Sequence, residues 1–519
     1  MLNKIQNSRT ILVFIVPLIL GLASVLSFQP FNITLINFVI FPILFLILSD
    51  INKRSKNKYR EKPYLINFFF AGYCFGIGFF LSGTYWISYS LTFDESLKIL
   101  IPFSIILIPL SLGLFFGLAV VFTGPFIKKD YPSLFLFCFI FSLVDYLRGN
   151  ILSGFPWNLW SYSWSWLVEI IQVLNPIGLY AFNSISIIFF CSPVILFFNN
   201  KYKYSVFSIF LIIFFSFYIF GSYKINKNQI FVKTIKQHTY VKVISPNFEM
   251  RYLNNDQEIK ETIEKITRYS DPDPNKETIF IWPEGIFAGV YLKDLKKFSN
   301  ILSESFSEKH ILIFGINTKE NSSEDFYNSL IATNNNLEIL YTYNKRKLVP
   351  FGEFIPFENL FEKIGFKKIT QGYGSFSKGK KQKNLSLNNL NIFPLICYEI
   401  IFPKLTQSSD DKTNLIVNIS EDAWFGNSIG PYQHFTKAIF RSVENNTYLA
   451  RSANKGISAF ISNNGETIKR LEPNERGNIE LNVPLIENKY KNKNDLIFFV
   501  LLFTYLFIFL IFKIKTNEK

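Results

Sequence analysis

Apolar positions along this 519-residue chain fall into three blocks. Residues 11–222 are mostly long apolar runs, 223–495 mix apolar and polar positions as a water-soluble domain does, and 496–514 return to near-continuous apolarity. A helix needs about 20 apolar residues to cross the hydrocarbon of a bilayer. Runs of that order predict spans near 11–29, 33–49, 66–89, 98–126, 132–149, 178–198, 204–222 and 496–513. A cleaved secretion signal is the alternative for the first run. No convincing small-residue cleavage site follows it, however, and a second apolar run begins almost at once, so an uncleaved span is expected. The pattern predicts seven helices in 1–222, a folded domain over 223–495, and an eighth helix with a short tail in 496–519.

In the middle block the period changes. Short β-branched runs predict strands at Tyr240–Ile244, Thr278–Trp282, Ile311–Ile316, Ser329–Thr333, Glu338–Tyr343, Asn391–Cys397, Asn414–Ile419, Ile457–Ser462 and Asn478–Val483. Helical periodicity falls near 256–269, 292–306 and 433–450. Strands interleaved with helices of this length predict a layered α/β domain with buried sheets.

Composition supports lipid as one of the solvents, since sixty phenylalanines need a very large core or a bilayer. Charge then orients the chain. Lys and Arg collect in alternate connections: Lys4 and Arg9; Lys53, Arg54, Lys56, Lys58, Arg60 and Lys62; Lys128 and Lys129; Lys201 and Lys203; Lys513 and Lys515. The connections around 30–32 and 90–97 are nearly free of them. By the positive-inside rule both termini are cytoplasmic, and eight spans put 223–495 on the outer face. The net charge of +15 is partly topological, and the abundance of Lys, Asn and Ile also reflects a low-GC coding bias. Without an Arg-rich helix or an aromatic RNA-binding motif, no nucleic-acid partner is expected.

Three of the four cysteines, Cys74, Cys138 and Cys191, lie in apolar runs, so a disulfide framework is not expected. Cys397 alone lies in the polar domain, ending the run Phe393-Pro394-Leu395-Ile396. A cysteine there is either a small core hydrophobe or a nucleophile. The chain has only His238, His310 and His434 and no zinc-type Cys/His spacing, so a thiol nucleophile needs another base and no metal is expected. Glu284, at the end of Phe280-Ile281-Trp282-Pro283, either caps a turn with Gly285 or, desolvated beside Trp282, takes a thiol proton. The run Lys345-Arg346-Lys347 precedes Leu348-Val349-Pro350-Phe351-Gly352-Glu353. It is either a solvated charge run or the source of a cation over a reacting carbonyl, and spacing alone does not choose among the three.

Strand-end elements in the order Glu, Lys, Cys resemble the triad of the nitrilase superfamily. The match is closer to its membrane-embedded branch, the apolipoprotein N-acyltransferases. It is carried by Trp282-Pro283-Glu284, by Leu348-Val349-Pro350-Phe351-Gly352-Glu353 with a lysine eight residues before Glu353, and by Cys397-Tyr398-Glu399. Asp422-Ala423-Trp424-Phe425-Gly426, Gln433-His434, Ala450-Arg451-Ser452-Ala453-Asn454 and Gly456-Ile457-Ser458 extend it. In the apolar block, Gly83-Thr84-Tyr85-Trp86 and Gly154-Phe155-Pro156-Trp157 also look like family elements. The family spacing selects Lys345. Glu421 is a departure, since the family more often has Asn there. A family tryptophan expected near Asn247–Tyr252 has no clear counterpart.

The resemblance implies a membrane domain of about eight helices joined to a nitrilase-like α-β-β-α sandwich. It implies catalysis by Glu284, Lys345 and Cys397 without cofactor, with Glu353, Tyr398 and Glu399 as supporting partners and Trp282, Trp424 and Trp157 as possible substrate contacts. The implied reaction moves a fatty acyl group from the sn-1 ester of a phospholipid, phosphatidylethanolamine, to the α-amine of a diacylglyceryl-cysteine on an apolipoprotein. A thioester on Cys397 would be the intermediate. The setting would be the bacterial inner membrane, with a monomer whose catalytic domain faces the periplasm. Trp157, Trp160, Trp164 and Trp166 suit an interfacial belt or a rim where lipid enters. Asp145 and Arg148, near a span end, either pair or meet a headgroup. Two other readings compete: a membrane-anchored amidase using the same triad on small amides, and a transporter or receptor whose outer domain only binds.

Overall fold

The computed structural model of the protein describes residues 9–55, 63–319, 325–356, 375–387, 390–407, 413–486 and 495–517. Of the loop cations used for orientation, Lys4, Lys56, Lys58, Arg60 and Lys62 lie outside them. The chain divides into two compact units. One comprises Met1–Thr92, Lys98–Lys224 and Asn494–Lys519, and the other Phe93–Leu97 and Ile225–Lys493.

Seven helices among the described residues are long and apolar enough to cross a membrane: Thr34–Arg54, Tyr64–Phe93, Glu95–Phe126, Tyr131–Asn150, Leu179–Phe197, Lys203–Thr234 and Leu496–Lys513. Each contains or closely matches an expected span. The eighth expected span is the shorter apolar helix Ile11–Ser27. Helices overrun the apolar runs because backbone hydrogen bonding continues into water where hydropathy does not; Lys203–Thr234 outlasts its run by three turns. Helices come close where side chains are small, and a Cβ at Gly21 would collide with the Phe75 carbonyl.

Asp145 and Arg148 of this unit are buried and paired. Arg148 Nη2 donates to Asp145 Oδ1 at 2.9 Å, and Nη1 to the carbonyls of Phe155 and Trp157, both at 2.7 Å. Asn183 holds the other Asp145 oxygen at 2.9 Å. The pair therefore braces the 155–157 loop and does not face a headgroup. The tryptophan belt needs a similar correction. Trp157, Trp160 and Trp164 are buried, Trp157 against Trp86 at 4.8 Å and Trp160 between Phe41 at 4.7 Å and Phe79 at 4.8 Å; only Trp166 is exposed.

The second unit is a sandwich of two six-stranded sheets. Its strands are β1 (His238–Ser245), β2 (Thr278–Ile281), β3 (His310–Lys319), β4 (Phe326–Thr333), β5 (Ile339–Asn344), β6 (Leu385–Leu387), β7 (Leu390–Ile396), β8 (Leu415–Glu421), β9 (Tyr448–Asn454), β10 (Ser458–Ile461), β11 (Thr467–Leu471) and β12 (Gly477–Pro484). The orders are β12-β1-β2-β3-β4-β5 and β11-β10-β9-β8-β7-β6. Pairs β1–β2, β2–β3, β7–β8 and β8–β9 are parallel, and the rest antiparallel.

Alternation along each strand divides the cores. Val241, Val243, Ile279, Ile281 and Ile313 of one sheet share a core with Ile392, Leu415, Val417, Ile419 and Ala450 of the other. The opposite face of the first sheet presents Phe280, Trp282, Leu312 and Phe314 to Ile259, Ile263 and Ile266 of helix α1 (Asp256–Ser270). Burying one strand face against a second sheet and the other against a helix yields the α-β-β-α layering.

All nine expected strands form. The expected helix over 433–450 ends early: helix α2 runs Gly430–Asn445, closes on left-handed Asn446, and is followed by β9. Polar Arg451, Ser452 and Asn454 hide β9 from a hydrophobic pattern, yet all are buried because they bond within the core. The expected helix over 292–306 is Leu292–Leu295 and Ser299–Ser305 joined by a 3₁₀ turn.

Candidate active site

Three strand ends carry the candidate catalytic side chains. Glu284 follows β2, Lys345 follows β5, and Cys397 follows β7. Beyond β2, the Trp282 amide still donates to Ile313 at 2.9 Å, and Gly285 turns the chain at φ +80. A Cβ at Gly285 would come within 2.8 Å of Glu421 Oε2, so the turn is closed to larger residues. The Lys345 amide donates to Asn328 O at 2.9 Å, which ties the lysine to β4. At Cys397 the strand stops and a 3₁₀ turn begins, with the cysteine itself at φ +47. A non-glycine residue there costs about 1–2 kcal/mol, and such strain persists where its surroundings over-determine it.

Lys345 is 1 % exposed and sits between two carboxylates. Its Nζ donates to Glu353 Oε1 at 2.8 Å and to Glu284 Oε1 at 3.3 Å. Burial opposes its charge, but Glu284, Glu353 and Cys397 outweigh burial and hold its pKa above the ordinary lysine value. Asn328 Nδ2 bridges the same two acids, at 2.7 Å to Glu284 Oε1 and 2.7 Å to Glu353 Oε1. The backbone of Glu421 donates to the remaining oxygen, Glu284 Oε2, at 3.1 Å. Glu353 Oε2 accepts from the Val349 amide at 2.8 Å, so this carboxylate also closes its own loop.

Glu399 does a different job. It is fully buried and accepts from the Arg346 and Lys347 amides at 2.7 and 3.1 Å, the Ile396 amide at 2.9 Å and the Tyr343 hydroxyl at 3.0 Å. One carboxylate thereby splices the turn after β7 to the chain just after Lys345. Burial pushes its pKa up, and the Ile396 and Arg346 amides hold it partly back. Glu399→Ala would strand three amides and a hydroxyl, at about 1–3 kcal/mol per buried unmet group. We expect a destabilisation of about 3 kcal/mol or more, read by thermal unfolding of the full-length protein.

Cys397 lies within electrostatic reach of both Glu284 and Lys345. Burial first, then the Glu284 charge, pushes its thiol above the ordinary cysteine value; Lys345 acts in the opposite direction. The resting site therefore holds a neutral thiol beside an ionic cluster. Such a thiol can lose its proton to an adjacent carboxylate as it attacks, and a buried ammonium can stabilise an oxyanion. Glu421 is buried, bonded through Asn454 Nδ2 and the Ala423 amide at 3.0 Å, and burial raises its pKa well above the usual carboxyl range.

The structure brings Glu284, Lys345, Glu353, Cys397 and Glu399 together. Tyr398 is half-buried, its ring 5.0 Å from Phe402. Trp424 is half-buried 5.0 Å from Phe93. Trp282 needs correction: it is fully buried in the α1 layer, its Nε1 donating to Ser270 Oγ at 2.9 Å, so it buttresses the strand and offers no contact surface. Trp157, buried as described above, offers none either. Among the described residues no group of three His, Cys, Asp or Glu could hold a metal.

Two family models match the chain: Apolipoprotein N-acyltransferase N-terminal domain over residues 20–192 and Carbon-nitrogen hydrolase over residues 277–487. The apolipoprotein N-acyltransferase of Rickettsia prowazekii is 31% identical over 512 residues, 96% of this chain and 97% of that protein. The chain belongs to the apolipoprotein N-acyltransferase family. The Rickettsia bellii member is 32% identical over 84% of this chain and 88% of its own, and the Rhodopseudomonas palustris member 28% over 91% and 89%. Membership makes the protein an acyltransferase on a nitrilase-like scaffold. The amidase alternative loses ground because the match includes the apolar block, for which a small-amide hydrolase has no use.

Reading the sequence alone missed Asn328, an unremarked strand residue with no motif around it. It also left the roles of Asp422, His434, Arg451 and Asn454 unassigned, although each lies in a quoted motif.

Proposed function

We propose that this protein N-acylates apolipoproteins by a ping-pong reaction on Cys397. Glu284 takes the Cys397 proton as the sulfur attacks the sn-1 ester carbonyl of a phospholipid, phosphatidylethanolamine. Lys345, with a backbone N–H near Tyr398, stabilises the oxyanion. The intermediate collapses, Glu284 returns the proton to the departing lysophospholipid alkoxide, and a thioester remains. The free α-amine of a diacylglyceryl-cysteine then attacks the thioester. Glu284 accepts the amine proton and gives it to the leaving Cys397 thiolate, which restores the resting enzyme. The acyl group stays activated as a thioester throughout, so the reaction needs no added energy source.

The observation that carries this reading is a buried thiol at a strand end, within reach of a carboxylate and a lysine that are themselves ion-paired. The apolar helices make this a membrane protein. We further propose that it acts as a monomer in the bacterial inner membrane, with Glu353 and Glu399 fixing Lys345 and its loop. The loop charges support cytoplasmic termini, a membrane block over 1–222 and 496–519, and a periplasmic catalytic domain over 223–495.

The test uses purified full-length enzyme and phosphatidylethanolamine vesicles without acceptor. Mass spectrometry is expected to find one fatty acyl chain on Cys397, discharged on adding a diacylated lipopeptide. An unmodified thiol after lipid exposure, or an adduct that the lipopeptide does not discharge, would sink the mechanism.

A further inference from the structure

Next to Cys397 lies a polar network that the proposed reaction does not use. Asn418, Ser420, Asp422, His434 and Arg451 are each no more than 1 % exposed. Arg451 Nη2 pairs with Asp422 Oδ2 at 2.8 Å, Nη1 with Asn418 Oδ1, and Nε with the Ile457 carbonyl at 3.2 Å. Ser420 Oγ donates to Asp422 Oδ1 at 2.6 Å. A buried ion pair of this kind is weak evidence for stability, because desolvation offsets much of its attraction. What it holds is more informative.

The network meets two carbonyls of the nucleophile's segment, and Ser420 also reaches the Cys397 thiol. Asn418 Nδ2 donates to the Leu395 carbonyl at 3.1 Å, and His434 Nε2 lies 3.3 Å from the carbonyl of Cys397 itself. A carbonyl can only accept, so Nε2 carries the proton. Nδ1 lies 3.0 Å from Arg451 Nη2 and 3.0 Å from Asp422 Oδ1. Burial lowers the His434 pKa; a neutral ring accepts at Nδ1 from Arg451, and a charged ring donates from Nδ1 to Asp422. In both cases Nε2 keeps the N–H that meets the Cys397 carbonyl. The ring meets the carbonyl and leaves proton transfer at the thiol to Glu284.

We propose that His434 is a positioning residue: it holds the carbonyl of Cys397 in the left-handed turn and so aims the thiol at the Glu284–Lys345 side. Asp422 and Arg451 lock the ring, and Phe425, 5.3 Å away edge-on, completes its seat. Cys397 is strained at φ +47, and a backbone held from one side by His434 has a reason to stay there. This inference rests on Cys397 being the nucleophile.

The experiment compares full-length wild type, Cys397→Ser, His434→Ala, His434→Phe and His434→Gln in phosphatidylethanolamine vesicles. Single-turnover acylation is measured per folded molecule, together with KM for the donor. Misplacing a reacting atom by about 1 Å costs about a hundredfold. His434→Ala and His434→Phe are therefore expected to acylate about a hundredfold more slowly, with KM within about threefold. His434→Gln, whose amide can still donate to the carbonyl, is expected to recover about tenfold or more. Should the Ala variant not fold, the Phe variant decides, since it fills the seat without a donor. Acylation at the wild-type rate in His434→Phe overturns the inference, as does a loss in all three variants that tracks thermal midpoint and not acylation per folded molecule. If instead Cys397→Ser acylates lipopeptide like wild type, the nucleophile assignment has failed.

Discussion

Glu284→Gln is expected to abolish acyl transfer while making Cys397 easier to alkylate. The two effects have different origins. Removing a general base costs about 10²–10⁴-fold, so acyl-enzyme formation should fall by about that factor. The Glu284 charge, however, is also one of the influences that hold the Cys397 pKa up, second only to burial. Replacing it with a neutral amide lowers that pKa and raises the thiolate fraction at any pH below it. Lys345 gains as well, because its ammonium no longer shares its field with Oε1 at 3.3 Å. Iodoacetamide labelling of Cys397 near pH 8 should therefore speed up in the variant whose acyl transfer has collapsed. The single amide oxygen can serve the Glu421 amide or the Asn328 and Lys345 donors but not both, so a lowered thermal midpoint should accompany the variant. Slower alkylation together with normal acyl transfer would remove Glu284 from the role of base.

The parts of this site that were legible in sequence are those chemistry confines to a strand end. Glu284 and Cys397 stand where apolar runs stop, and a charged or reactive group just past a buried strand is visible in one dimension, whereas only the family spacing told Lys345 from Arg346 and Lys347. Asn328 is not visible in this way. It occupies an ordinary position in β4, and its amide matters only because the sheet order sets β4 between β3 and β5. Trp282 shows the converse error. Its closeness to Glu284 along the chain suggested a shared pocket, but strand alternation carries the indole into the helix layer. The β9 strand was hidden because Arg451 and Asn454 are paid for by partners far away in sequence, Asp422 and Glu421. The apolar spans were readable because bilayer thickness sets their length, whereas helix ends, capped in water, leave no such mark.

Lys345→Met should act on alkylation in the opposite direction from Glu284→Gln. The ammonium favours the Cys397 thiolate, so its loss raises the thiol pKa further and slows iodoacetamide labelling. Acyl transfer should fall too, for a second reason. Taking away a buried oxyanion donor costs about 10²–10³-fold, and methionine supplies no hydrogen bond. Glu284 and Glu353 would then face each other across Asn328 Nδ2, at 2.7 Å to each, without a cation between them. Breaking a buried ion pair by removing one partner also costs about 3–5 kcal/mol, and a lowered thermal midpoint should accompany the kinetic loss. Glu353→Gln separates the contributions, because it removes one carboxylate and keeps Lys345. Applied to Lys345→Met, it should return part of the stability and none of the acyl transfer. A double variant that regained activity would show that Lys345 serves only to neutralise its neighbours and never meets the oxyanion.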